Sequence, residues 1–232
     1  MPLKAVIFDV DGTLAETEET HREAFNRAFA EAGAPWRWSQ RHYAALLTTT
    51  GGRERIARYL AELDFPPDPA GVAAMHICKN AIYAEMVEAG AIVPRPGVLR
   101  LIEECRSKGI TLAIATTTSR SNLDALLRTT FAPDAESWFA AIVTGEDVTA
   151  KKPDPEVYRI VLDKLALSPS DCLAIEDSFN GLSAARACGI TTIVTPSQYS
   201  VGQDFAGAAL VCQTLNDDGN AVDVDRLMAL TR

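Results

Sequence analysis

Leu3-Lys4-Ala5-Val6-Ile7-Phe8-Asp9-Val10-Asp11-Gly12-Thr13 is the stretch that decides the fold. Residues 3–8 form a compact apolar run that stops at two acidic residues and a glycine. A strand in a parallel sheet covered on both faces reads this way, because neither face meets water. Similar runs recur at 110–115, 141–143, 172–175 and 191–194. Helical patterns separate them at 97–108, 119–129, 155–166 and 181–188, two of them closing on Gly109 and Gly189. Glycine just past the last helical residue is a familiar stop. Pro153-Asp154-Pro155 predicts an aspartate N-cap with proline at the first helical position. Strands alternating with helices imply right-handed crossovers, and so an α/β fold with a parallel sheet between two helical layers.

Residues 16–93 break the rhythm. They hold amphipathic patterns at about 16–32, 39–48, 52–63 and 71–89, and no convincing strand. Phe25, Ala28, Phe29 and Ala32 make one stripe; Met75, Ile82 and Met86 make another. Such a segment predicts a small helical bundle inserted after the first strand. The expected division is therefore a main domain of residues 1–15 and 94–232 and an inserted helical domain of 16–93. The loop after Gly12-Thr13 and the return segment Val93-Pro94-Arg95-Pro96-Gly97 are the expected hinges.

The 232 residues carry a net charge of −9, which opposes nucleic-acid binding, and the basic residues form no cluster. Five cysteines at irregular spacing, with no C-x-x-C pair, argue against a zinc site or a disulfide framework. They read as reduced core residues of a cytoplasmic protein. No apolar stretch approaches the roughly 18 residues of a membrane span, so no membrane partner is expected.

Two acidic pairs carry the chemistry. Asp9 and Asp11 follow the first strand, and Glu176 and Asp177 follow the strand at 172–175. Ligands gather beyond the carboxyl ends of strands in such sheets. Asp9 and Asp11 suit a nucleophile and a neighbouring acid/base, and Gly12 permits a tight turn beside a ligand. Four carboxylates at one sheet edge repel unless a hard cation such as Mg2+ accepts their oxygens. Thr116, followed by Thr117, Thr118 and Ser119, is either a phosphate cradle or a helix N-cap. Lys152 offers a positive charge to phosphoryl oxygens, although a loop lysine is usually a solvated charge.

Within the insert, His21 shares a face with Phe25 and Ala28 and reads as a core histidine. Gly51-Gly52 opens the helix carrying Arg53 and Arg55, a combination suited to an anion. Lys79 falls on an inward stripe, where a lysine is costly unless its stem snorkels to solvent.

The string Asp9-x-Asp11-Gly12-Thr13, then Thr116, Lys152-Pro153 and Glu176-Asp177, resembles the four signature motifs of the haloacid dehalogenase superfamily, in its order and over the whole chain. The resemblance implies a three-layer Rossmann-like core with a helical cap. It also implies an aspartyl-phosphate formed on Asp9, with Asp11 as acid and then base. Magnesium would be held by Asp9, the Asp11 carbonyl and Asp177, with Glu176 in or beside that set. Glu16-Thr17…His21, Gly52-Arg53 and Lys79-Asn80 are similar to the β-phosphoglucomutase-like branch, and the Thr116–Thr118 run favours its CbbY-type phosphatases. That implies a monomeric sugar-phosphate phosphatase acting on xylulose 1,5-bisphosphate, a Rubisco inhibitor of the Calvin cycle. Glu16, His21, Gly52, Arg53, Lys79, Thr116, Thr117 and Lys152 are then expected to bind substrate. The competing expectations are a sugar-phosphate mutase and a phospho-accepting signalling module without turnover.

Overall fold

Side chains alternating up and down along six short strands set the central layer of the computed structural model, which describes residues 3–90, 92–217 and 221–231. The strands are β1 (Ala5–Phe8), β2 (Thr111–Ala115), β3 (Ala141–Val143), β4 (Cys172–Glu176), β5 (Thr191–Val194) and β6 (Leu210–Val211). They run parallel in the order β3-β2-β1-β4-β5-β6. Val6, Phe8, Leu112, Ile114, Leu173 and Ile175 face one helical layer, made of α5 (Val98–Ser107), α6 (Arg120–Leu126) and α9 (Val224–Leu230). Ala5, Ile7, Ala113, Ala115, Cys172 and Ala174 face the other, made of α7 (Glu156–Leu165) and α8 (Phe179–Ala187). Both faces of the sheet are therefore dry, and each large side chain buried there contributes about 1.5–3 kcal/mol.

The register aligns Phe8 with Ile114 on one side and with Ile175 on the other. Asp9, Thr116 and Glu176 consequently reach the same edge. The strand order also reverses direction at β1, which opens a crevice at its carboxyl end.

Four helices lie in the insert: α1 (Glu18–Glu31), α2 (Gln40–Leu46), α3 (Gly52–Glu62) and α4 (Pro69–Glu88). Phe25, Phe29, Trp38, Tyr43, Ile56 and Tyr59 form its own aromatic-rich cluster. Ala24 and Ala28 of α1, with Ile82, Tyr83 and Val87 of α4, instead join the apolar cluster on the sheet's face.

Several boundaries differ from expectation. Helix α4 starts at Pro69, because Asp68 accepts the Gly71 N–H at 2.9 Å. Helix α7 starts at Glu156, which puts Pro155 at the cap position; Asp154 still accepts the Glu156 N–H at 2.9 Å. The expected helix 119–129 divides into α6 and a π turn over Leu127–Phe131. The two-residue strand β6 and helix α9 had no counterpart in the sequence reading. Among the described residues, no helix is long and apolar enough to cross a membrane. All five cysteines are unpaired.

Candidate active site

Strand β1 ends in a turn that is held before any ligand arrives. Gly12 has φ +82°, donates its N–H to the Ala15 carbonyl at 2.8 Å, and leaves no room for a side chain. A Cβ there would lie 2.4 Å from Asp177 Oδ2. Two catalytic loops therefore touch through a glycine, which explains the residue type.

Lys152 lies beneath this turn, 3% exposed. Its ammonium donates to Asp9 Oδ1 at 2.6 Å, Glu176 Oε1 at 2.6 Å and the Ala115 carbonyl at 2.9 Å. Three N–H donors thus meet three acceptors, which makes the buried charge tolerable. Burial lowers the lysine's proton affinity, but the charges of Asp9 and Glu176 more than reverse that and keep it protonated. Tyr158 OH donates to Glu176 Oε1 at 2.5 Å.

Asp9, Glu176 and Asp177 can each bring one oxygen within 4.8 Å of the others. Burial pushes Asp9 up to about 7 against the pull of Lys152, with Glu176 and Asp11 adding to the rise. Asp177 is driven well above the usual carboxylate range by burial and by Asp9. Glu176 Oε2 is buried without a protein partner. Crowded oxygen donors with one left unsatisfied fit a small divalent cation, for which Asp9, Asp177 and Glu176 are the available ligands. Ser200 Oγ donates to the Asp177 carbonyl at 2.6 Å and accepts the Ser197 N–H at 2.8 Å, so the loop after β5 braces this side of the site.

Asp11 belongs to a second network. Its Oδ1 is 2.5 Å from Thr17 Oγ1 and 3.0 Å from His21 Nε2, and His21 Nδ1 is 2.7 Å from Lys79 Nζ. Burial alone would raise the Asp11 carboxyl; His21, Thr17 and Lys79 outweigh it and hold the group well below its usual range. Burial pulls Lys79 down to about 7, and Arg55 adds to the fall while Asp11 opposes it. His21 is buried, as its place on the apolar face of α1 implies, but its ring joins Asp11 to α4 rather than only filling core.

The two networks open on one cavity of about 690 Å³. Asp9, Asp11, Thr116, Thr117, Lys152 and Asp177 line its floor, and Glu18, Arg53, Arg55, His76 and Lys79 line the opposite wall. Thr116 Oγ1 accepts the Thr118 N–H at 3.1 Å and shapes the turn after β2. Gly52 borders the cavity beside His76, whose Nε2 would be 2.5 Å from any Cβ added there. Burial takes His76 down to about 3, assisted by Lys79 and Arg53, so its imidazole is neutral.

Of the residues expected from sequence, Asp9, Asp11, His21, Gly52, Arg53, Lys79, Thr116, Thr117, Lys152 and Asp177 all border this cavity. Glu176 lies behind them, held by Lys152 and Tyr158. Glu16 is not among the lining residues; it pairs with Arg95 Nε at 3.2 Å, and Glu18 takes the place on the wall. Arg53 is exposed, whereas Arg55 is buried with NH1 on Tyr43 OH at 3.0 Å. Tyr158, His76, Ser197 and Ser200 were not anticipated. Only the polar loop Thr195-Pro196-Ser197 after an apolar run offered a signal for any of them.

Comparison with known proteins agrees with this geometry. The model of the haloacid dehalogenase-like hydrolase family matches residues 3–189. Protein CbbY of Rhodobacter capsulatus is 49% identical over 208 residues, covering 90% of this chain and 92% of its own length. The crystal structure of an aspartate-to-asparagine mutant of CbbY from Rhodobacter sphaeroides, in complex with xylulose 1,5-bisphosphate, is 44% identical with a TM-score of 0.90, covering 94% of this chain and 96% of that one. The phosphorylated carbohydrates phosphatase of Thermotoga maritima is 32% identical, covering 82% of this chain and 84% of its own. With Asp9, Lys152, Glu176 and Asp177 assembled at the sheet edge, the chain belongs to the haloacid dehalogenase-like hydrolases, as a sugar-phosphate phosphatase of the CbbY type.

Proposed function

We propose that this phosphatase hydrolyses a sugar bisphosphate, xylulose 1,5-bisphosphate, using magnesium and an aspartyl-phosphate on Asp9. The observation that carries the reading is a cavity with a nucleophile and Lys152 on its floor and Arg53, Arg55 and Lys79 on its far wall. One phosphate meets the floor and the other meets the wall. The substrate bound by the Rhodobacter sphaeroides relative supports the same assignment. Residues 1–15 and 94–232 form the catalytic domain, and 16–93 form the cap that excludes water from the reacting phosphorus.

Lys152 holds Asp9 Oδ1, leaving the other oxygen to attack phosphorus in line with the ester oxygen. As the P–O ester bond breaks, the leaving oxygen takes a proton through Asp11, whose ionised carboxylate relays it from the Lys79–His21 pair hydrogen-bonded behind it. The carboxylate of Asp11 then removes a proton from water, whose oxygen attacks phosphorus and releases inorganic phosphate and free Asp9. Thr116 and the N–H groups of its turn bind the phosphoryl oxygens, and Lys152 offsets their charge. Asp9, Asp177 and Glu176 would hold a magnesium ion, which would supply further charge neutralisation at the phosphoryl group.

The test is phosphate release from a panel of sugar mono- and bisphosphates with magnesium. Asp9→Asn abolishes release from every substrate, since an amide cannot act as this nucleophile. Turnover by Asp9→Asn refutes the mechanism, and preference for a monophosphate refutes the substrate assignment.

A further inference from the structure

Both crossings between the sheet and the helical insert converge on one buried arginine. On the outgoing side Gly12 donates to the Ala15 carbonyl at 2.8 Å, and on the return side the Arg95 N–H donates to the Leu14 carbonyl at 2.9 Å. An antiparallel bridge joins Ala15 to Pro94. The Arg95 side chain, 8% exposed, then spreads over four backbone carbonyls. NH1 donates to Gly12, and to Thr195 at 2.6 Å; NH2 donates to Pro196 at 2.9 Å and Gln213 at 3.1 Å. Nε faces Glu16 Oε1 at 3.2 Å, and NH1 also reaches Thr195 Oγ1 at 3.1 Å.

We propose that Arg95 is a positioning residue for the acid/base Asp11. Its guanidinium fixes the Gly12 carbonyl, and with it the turn from which the Asp11 side chain projects. Glu16 sets the plane of the guanidinium, so that both NH groups fall on their carbonyls. The arrangement ties the catalytic turn after β1 to the loops after β5 and β6, which no sheet hydrogen bond does. A planar fork is needed: a lysine keeps the charge but has too few donors, in the wrong geometry, to hold four carbonyls from three segments. The inference rests on the reading of Asp11 as the proton donor to the leaving oxygen.

A poorly positioned acid matters most when the leaving group is poor. Phenyl phosphate and p-nitrophenyl phosphate have nearly the same shape, and only the first depends strongly on protonation as it leaves. The measurement is the ratio of their kcat/KM values, which reports only the steps through phosphoryl transfer. Both rates come from one sample, so the fraction of folded enzyme cancels. For Arg95→Lys the ratio of phenyl to p-nitrophenyl phosphate falls about tenfold, the equivalent of one charge-assisted hydrogen bond. For Glu16→Ala it falls about threefold, and this variant decides the matter if Arg95→Lys does not fold. Asp11→Asn serves as the reference and shows a larger fall than either. An unchanged ratio in the folded Arg95 variant, beside a fall in Asp11→Asn, overturns the role of Arg95 alone. An unchanged ratio in Asp11→Asn overturns the acid assignment and the inference with it.

Discussion

Replacing Lys152 by methionine removes one positive charge from among three buried carboxylates, and its effect on stability can be sized. The ammonium contacts Asp9 and Glu176 at 2.6 Å each, and Asp177 lies in the same cluster. Removing one partner of a buried ion pair costs about 3–5 kcal/mol, because the remaining charge stays buried and uncompensated. For a chain of 232 residues each kcal/mol moves the melting temperature by about 2–4 °C. Lys152→Met should therefore melt roughly 6–20 °C below the wild type in chelator, where no cation compensates. The same variant should release no measurable phosphate with magnesium present. Glu176→Gln should recover part of the lost stability in the double variant, with a coupling of about 1–3 kcal/mol from a cycle of thermal melts. A Lys152→Met protein that melts within 2 °C of wild type, about the effect of a single kcal/mol, would refute the charge argument. So would a coupling under about 0.5 kcal/mol.

Gly12→Ala forces a Cβ against Asp177 Oδ2 and places alanine at φ +82°, so it should lose at least about 100-fold in kcat, with a drop of roughly a few degrees in melting temperature; near-normal kcat would show that the loop yields freely. Arg53→Ala should raise KM for xylulose 1,5-bisphosphate about tenfold more than for p-nitrophenyl phosphate, as expected of one charged contact to a second phosphate. Equal changes for both substrates would remove Arg53 from the distal site. Lys79 gives a pH test. It faces Asp11, His21, Glu18 and Arg55, and its folded value of about 7 lies below the unfolded 10.5. Between these values the unfolded chain holds a proton that the folded chain releases, so Lys79 contributes stability that rises with pH through this window. Wild-type stability minus that of Lys79→Met, from urea unfolding, should therefore increase from pH 7 to pH 10; a flat difference rejects the shift.

What sequence conveyed about this protein followed from how local each signal is. Ala5–Phe8 reads as a strand buried on both faces because a covered parallel strand has no polar positions, and the four residues are fully buried. Asp9 and Asp11 were legible because the turn that presents them is contiguous with that strand. Lys152 is different. Nothing in a Lys-Lys-Pro string says which lysine turns inward, and only the match to family motifs distinguished it. Glu16 was misplaced for a related reason: its ion pair with Arg95 spans 79 positions of sequence and depends on both hinge crossings meeting. Arg53 and Arg55 are two positions apart, which puts them on different faces of α3, and only the resemblance to the family pattern singled out Arg53, the exposed one. β6 escaped notice because a two-residue strand carries no periodicity, and its place comes from pairing with Ile193 and Val194.

The apolar cluster shared by the sheet and the insert has a calorimetric consequence. Ala24, Ala28, Ile82, Tyr83 and Val87 continue without a break into the cluster that holds Leu123 and Leu126 of α6. Drawing α1 and α4 away from α6 hydrates this surface, and hydrated apolar surface raises heat capacity. An equilibrium between shut and parted forms would accordingly be curved in temperature. The hydrophobic resistance to parting weakens as the protein is cooled. Access to the cavity by such parting would then depend in part on the thermal behaviour of water at a seam that contains no catalytic group.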